Sequence, residues 1–295
     1  MRALAPSRLQ TLSWPLAPRS REILLLGASL IGYFVTARAL VEHGVMTAGG
    51  LGGADVFAYW TAGHHLVAGQ RLYGVDVGGY GAFLYPPPLA QLFVLVSPLP
   101  FPVVVWLWRA IELGCIRLIL GSWRTVGISL LIWWPLISEL DAGNVHLVVG
   151  AAVALAIRGD ARSLIPSAFS KFASLAAIPA GWRADARGLG TGAAVAAGIF
   201  LVSFMLAPNL WYSYVSFLPT ATQPESGWFN LGSFVPLWLR FGAAGLLAVL
   251  AYRWVRLAAV AATLAFPVLW FHSLSALIAA LTPIPERAPD HRPGP

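Results

Sequence analysis

The chain has 295 residues, of which 58% are hydrophobic and only 11% charged. Its mean hydropathy is +0.73 and its formal net charge is +7. A soluble domain carries about 25% charged residues, so the composition excludes an ordinary soluble enzyme and fits an integral membrane protein filled by spans.

The single cysteine, Cys115, excludes a disulfide framework within the chain. The positive charge does not indicate a nucleic-acid partner, because its placement follows the membrane. Arg2, Arg8, Arg19 and Arg21 precede the first apolar run. The pairs Arg117/Arg124, Arg158/Arg162, Arg183/Arg187 and Arg253/Arg256 separate later ones. That is the pattern of cytoplasmic loops.

In chain order, residues 1–20 form a basic cytoplasmic tail. Residues 23–36 with Ala37-Arg38-Ala39 imitate a cleaved leader. The long proline-bearing stretch before them favours an uncleaved first span, 21–41. Residues 42–88 form an extracytoplasmic loop that is polar, aromatic and rich in turns. Residues 89–97 are too few to cross and return, and read as a re-entrant or interfacial piece closed by Pro98-Leu99-Pro100.

Further spans are expected at 101–120, 125–140, 145–157, 188–207, 232–252 and 255–270. Residues 163–182 lie between two basic pairs and should enter and leave on the inner side. The expected architecture is all-α: a polytopic transmembrane helical protein with about 8–10 membrane segments, re-entrant pieces included. Its transmembrane domain covers 21–281, followed by a disordered tail at 282–295. This topology gathers Asp55, Glu139, Asp141, Asn144, His146, Trp211, Asn230 and His272 on the extracytoplasmic face.

Several of these residues fall in a recognisable order. Asp55-x-x-x-Tyr59, Gly69-x-x-Leu72-Tyr73 and Tyr85-Pro86-Pro87 come first. Gly143-Asn144-Val145-His146-Leu147, Ser170-Lys171-Phe172, Asn230-Leu231-Gly232-Ser233 and Pro267-x-x-Trp270-x-His272 follow. The series resembles glycosyltransferase family 87, polytopic enzymes of the GT-C type that include polyprenol-phosphate-mannose-dependent mannosyltransferases. It covers roughly 21–281 of the chain. Asn144 and His146 stand where the family pattern has Gln and Asn, and no proline follows Lys171 closely.

The resemblance implies a GT-C-like fold in a bacterial inner membrane, with the site on the extracytoplasmic face. It implies transfer of a hexose, mannose first, from a polyprenyl-phosphate donor to a lipid or glycan acceptor. Asp55 is the expected general base, since a hydroxyl is a poor nucleophile until its proton is removed. His272 is the expected partner of the donor phosphate. Tyr59, Tyr85, Asn144, His146, Lys171, Asn230 and Arg240 are the expected substrate-binding residues.

Each has a plainer role to set beside this. Asp55 also suits the N-cap of a helix starting at Val56. Lys171 and Arg240 also suit snorkelling to a membrane surface. Arg109 and Glu112 suit an intrahelical pair. Glu139 and Asp141 suit a solvated helix end. No cofactor is expected; a divalent ion held by Glu139, Asp141 and Asp55 stays open, and no His/Cys spacing marks a zinc site. The rival reading is a non-catalytic polytopic membrane protein, either a transporter or a cell-envelope assembly subunit.

Overall fold

The structure is a computed structural model that describes residues 20, 22–27, 30–31, 52–74, 82–220 and 230–284. Most of the expected first span, both expected tails except residues 20 and 282–284, and parts of the loop 42–88 lie outside the described residues. The chain is mostly helical (76%), with no strand among the described residues. A single antiparallel bridge joins Asn230 to Trp270.

Helix α1 (Ala54–Val67) follows the left-handed pair Gly52 and Gly53. Asp55 therefore lies in the first turn, and Gly53 takes the N-cap position without a side-chain cap. The expectation that Asp55 caps this helix is corrected: its carboxylate is left available for other partners. A short α2 (Pro87–Val94) starts on Pro86-Pro87, where proline costs no helical hydrogen bond. Helix α3 (Phe101–Leu120) has the bounds expected of the second span, set by Pro100 before it and left-handed Gly121 after it.

The expected span 125–140 is instead two helices, α4 (Trp123–Ile132) and α5 (Trp134–Ala142), bent by 95°. Pro135 at the start of α5 has no N–H to continue the first helix. Gly143 then turns the chain into α6 (His146–Arg158). Residues 163–182 form two 3-10 turns, Pro166–Phe169 and Phe172–Ala177, and lead into α7 (Ile178–Leu206).

Helix α7 breaks at Asp185, whose Oδ1 accepts Gly188 N–H at 2.8 Å and restarts the helix. The other carboxylate oxygen accepts Ala161 N–H at 3.2 Å. The two ends of the segment from Ala161 to Asp185 therefore meet.

Helix α8 (Pro208–Phe217) lays Tyr214 and Phe217 on Tyr73. Helix α9 (Leu237–Ala251) is followed by α10 (Leu257–Leu264). Eight residues of α10 rise only about 12 Å, so the expected span 255–270 is short and ends in a turn at Pro267. The described chain closes with a 3-10 segment, Phe271–Leu281.

Arg117, Arg158, Arg183 and Arg253, from the paired arginines, collect at one end of the bundle, whereas Arg109 and Arg240 lie elsewhere. Arg158 donates to Ile119 O at 2.9 Å, and Thr282 donates to the same oxygen at 2.8 Å. Arg183 donates to Tyr252 O and Arg253 O, both at 2.7 Å. The far ends of α3, α6 and the 3-10 segment meet the loop carrying Asp55. Helix α6 rises about 20 Å over its 13 residues. The parallel 3-10 segment rises about 22 Å over its 11 residues, because a 3-10 helix rises faster. The two elements thus connect the same two ends.

Among the described residues, one segment, Phe172–Leu206, is long and apolar enough to cross a membrane, and the bent α4–α5 pair is a second if taken as one span. The other expected spans that are described are shorter or carry more charge.

The Asp55 loop is pinned by close backbone approach. Gly53 N–H donates to Asp141 O. Gly143 has φ +70, and a Cβ there would lie 2.2 Å from Val56 Cγ2. Left-handed backbone costs an L residue about 1–2 kcal/mol, and overpacking adds a similar amount. We expect Gly143→Ala to lose about 2 kcal/mol or more in detergent unfolding. Gly190→Ala, which meets open space within α7, should be neutral or gain about 0.5–1 kcal/mol.

Candidate functional site

At the end opposite the arginines, four elements converge on a buried polar cluster. Helix α1 supplies Asp55 and Tyr59. The turn before α2 supplies Tyr85. The α5–α6 corner supplies Glu139, Asn144 and His146. The segment 161–185 supplies Lys171.

Lys171 has extended backbone between the two 3-10 turns, which sends its side chain away from both. Its Nζ donates to Asn144 Oδ1 at 2.9 Å and lies 2.7 Å from His146 Nε2. It also sits over the rings of Tyr85 (5.7 Å) and Phe266 (5.3 Å). Two aromatic faces and two acceptors substitute for part of the water shell an ammonium loses on burial.

Tyr85 is the hub of the outer half. Its hydroxyl receives Tyr59 O–H at 3.1 Å and reaches Asp55 Oδ1 and Asn144 Oδ1, each at 3.4 Å. Tyr73 fixes it from behind by donating to Tyr85 O at 2.9 Å. This explains the spaced tyrosines: Tyr73 holds the backbone from which Tyr85 projects, and Pro86 restricts that backbone further. Asn144 is held in turn by Val145 N–H, donated to its Oδ1 at 2.8 Å, and by Trp108 Nε1, donated to its carbonyl at 3.3 Å.

Asp55 is partly exposed, whereas Tyr59, Tyr85 and Asn144 are buried. Burial raises its carboxyl above the usual carboxylate range, opposed by the Lys171 cation and by hydrogen bonds from Asn144 and Tyr85. A carboxylate raised but still held by donors is suited to accept a proton nearer neutral pH.

In the inner half, His146 and His272 were expected, but the role of Glu139 was not legible in the sequence. Glu139 was expected at a solvated helix end, yet it is fully buried and accepts His146 N–H and faces His146 Nδ1, both at 2.9 Å. Asp141 is also buried, and burial pushes its carboxyl up to about 6 against the pull of Arg109. Arg109 donates to Leu140 O at 3.0 Å. Ser273 Oγ lies 3.1 Å from His146 Nε2 and is a further participant that sequence reading missed. His272 packs on His146, ring centres 5.2 Å apart, and its buried Nε2 has no hydrogen-bond partner among the described residues.

Glu139, His146 and His272 offer three metal-ligand atoms within 4.8 Å of one another. The set is of the right type for a transition ion. The Lys171 ammonium against His146 does not fit one, because a divalent ion would face a cation at contact distance. No metal step is derived from it.

The structure does not bring Asn230 or Arg240 into the cluster. Asn230 accepts Gly232 N–H at 3.1 Å within its own turn. Arg240 donates to Phe266 O at 3.0 Å and Pro267 O at 2.8 Å. Both residues hold the strip 266–270 that carries Phe266 and leads into His272, so they brace the site from behind. Beside that strip runs an apolar groove of about 330 Å³, lined by Phe172, Ala173, Ala244, Ala248 and Pro267 among others.

Compared with protein-family models, curated proteins and solved structures, the chain matches none.

Removing the guanidinium of Arg240 leaves two carbonyls short of a donor. An unmet buried polar group costs about 1–3 kcal/mol. Arg240→Ala should therefore lower the thermal midpoint in detergent, and Arg240→Lys should restore only part of the loss, since one ammonium does not reproduce the fork.

Proposed function

We propose that this protein is a membrane-embedded glycosyltransferase of the GT-C type. In this reading it moves a hexose, mannose first, from a polyprenyl-phosphate donor to a lipid or glycan acceptor outside the cytoplasm. The observation that carries the reading is the assembly of Asp55, Tyr85, Asn144 and Lys171 into one cluster at the end opposite the arginines. These four lie in separate sequence elements of the family-like series.

Three further features favour it. Arg117, Arg158, Arg183 and Arg253 gather at one end, as cytoplasmic loops do. Large apolar side chains stand exposed along α7 and α9, among them Met205, Leu206, Trp238 and Val249. Such a surface is costly in water and at home in lipid. The apolar groove lined by Phe172, Ala173 and Pro267 suits the hydrocarbon chain of a lipid-linked donor.

The chemistry follows from charge placement. The acceptor hydroxyl lies against the exposed edge of Asp55, which takes its proton as the new glycosidic bond forms. The anomeric carbon–phosphate bond breaks on the opposite side, inverting that carbon. The leaving phosphate gains charge, and Lys171 and the unpartnered nitrogen of His272 are the groups positioned to stabilise it. Tyr85 and Asn144 hold the base and the cation apart at fixed geometry.

Transfer from radiolabelled polyprenyl-phosphate mannose in membranes tests the reading. Asp55→Asn should lose about 10²-fold or more, the usual contribution of a positioned base. Full activity in that variant would remove Asp55 from the mechanism.

The pH profile gives a second check. Activity needs the deprotonated form, so its acid limb should lie above the ordinary carboxylate value of about 4. The Lys171 charge lowers the Asp55 pKa. Lys171→Met should consequently move that limb to still higher pH in whatever activity remains. A limb that moves down would contradict the assignment.

A further inference from the structure

The inner half of the cluster has a proton inventory that the proposed chemistry does not use. With Glu139 ionised opposite the Lys171 ammonium, its oxygens only accept. One takes His146 N–H, and the other lies 2.9 Å from His146 Nδ1, which in that state carries the proton. The second ring nitrogen faces two groups, Lys171 Nζ at 2.7 Å and Ser273 Oγ at 3.1 Å. Ser273 Oγ already accepts Trp270 N–H at 3.1 Å, which leaves its own proton free to donate. Lys171 has three N–H bonds to place and no lone pair while it is charged. An imidazolium 2.7 Å from an ammonium would set donor against donor and charge against charge. The arrangement is satisfied when His146 is neutral, with its proton on Nδ1 and its lone pair on Nε2.

We propose that Glu139 and His146 are a positioning pair: Glu139 fixes the Nδ1–H form of His146 so that Nε2 holds the Lys171 ammonium against Asn144 and facing Asp55. Neither residue touches a substrate. The pair sets where the site's cation stands and keeps it charged. Ser273 supplies the second hydrogen bond that anchors the ring. Asn144 takes another Lys171 N–H, and the remaining one is available to an anion arriving beside Asp55.

The local sequence makes this possible. Glu139 and His146 are seven residues apart, and on one straight helix they would lie two turns from each other. Left-handed Gly143 ends α5 and folds α6 back, so that Glu139 caps the first turn of α6 while gripping its first side chain. The His146 ring is closed in by Phe266 at 4.4 Å between centres and by His272. It has one orientation to adopt.

The role assigned to Lys171's anion rests on the transferase reading; the protonation pattern does not, and the two are tested separately. Full-length protein labelled with 15N-histidine in detergent or nanodiscs, near neutral pH, is examined by long-range 1H–15N correlation. The His146 resonances are assigned by their loss in His146→Asn. Should that variant not fold, single replacements of the other five histidines identify them by elimination.

The expected pattern is a protonated Nδ1 with an unprotonated Nε2, the minor form of a free imidazole. An Nε2–H form, or an imidazolium, would overturn the proposal. Glu139→Gln keeps an acceptor for His146 N–H but turns an amide donor toward Nδ1. His146 should then switch to the Nε2–H form, aiming a donor at Lys171.

The functional arm is a double-mutant cycle on the KM for polyprenyl-phosphate mannose. Glu139→Gln should raise KM about tenfold, the order expected for losing a hydrogen bond to a charged group. In a Lys171→Met background it should change KM less than about twofold, because the two losses share one route. The expected spectrum with additive KM effects would overturn the positioning role. The expected spectrum in a protein without transfer activity would leave the protonation pattern intact and remove the transferase reading instead.

Discussion

An ammonium taken out of water has to be surrounded by acceptors, and the fold around Lys171 is organised by that requirement. Removing one partner of a buried ion pair costs about 3–5 kcal/mol, because the other charge is stranded. Here the compensation is distributed among Asn144, His146, the negative faces of Tyr85 and Phe266, and the carboxylates of Asp55 and Glu139. These groups belong to four elements far apart in sequence. Each element is held in register by a device of its own: Tyr73 behind Tyr85, the left-handed Gly143 corner, Asp185 at the base of the segment 161–185, and Arg240 behind Phe266. The cluster is therefore a tertiary object that no single helix could carry.

The same requirement divides labour between the two halves. Asp55 lies at the accessible rim, and its 3.4 Å contact with the Tyr85 hydroxyl is among the longest in the network. Glu139 and His146 are enclosed and close-coupled. A site that binds and releases a ligand needs a loose rim, while the group that sets its charge needs a tight seat. That gradient runs from Tyr85 through Asn144 to His146 over a few ångströms.

Much of the helical outline was legible. The α3 bounds follow from an apolar run of span length between Pro100 and Gly121, and the arginine pairs correctly group the ends of α3, α6, α7 and α9. Asp55, Tyr59, Tyr85, Asn144, His146 and Lys171 were singled out before their contacts were seen, and they meet. What was hidden depends on geometry that sequence spacing does not encode. Glu139 looks like a helix-end acid until the Gly143 corner brings His146 back onto it. The 95° bend between α4 and α5 is masked because Pro135 sits in a continuous apolar run. The 3-10 winding of Phe271–Leu281 was not expected from the sequence. Asn230 carries family-like spacing and Arg240 stands out as a cation in an apolar run, yet both spend their hydrogen bonds on backbone.

The segment from Ala161 to Asp185 has one more property. Its two ends meet at one hydrogen-bonded junction, yet Leu164, Ala173, Ala177 and Ala180 along it are buried in the main core. The place of its tip is therefore inherited from core packing rather than from a free loop. A substitution that shifts those side chains moves the Lys171 ammonium with them, so the charge of the site is tied to the solidity of the whole bundle.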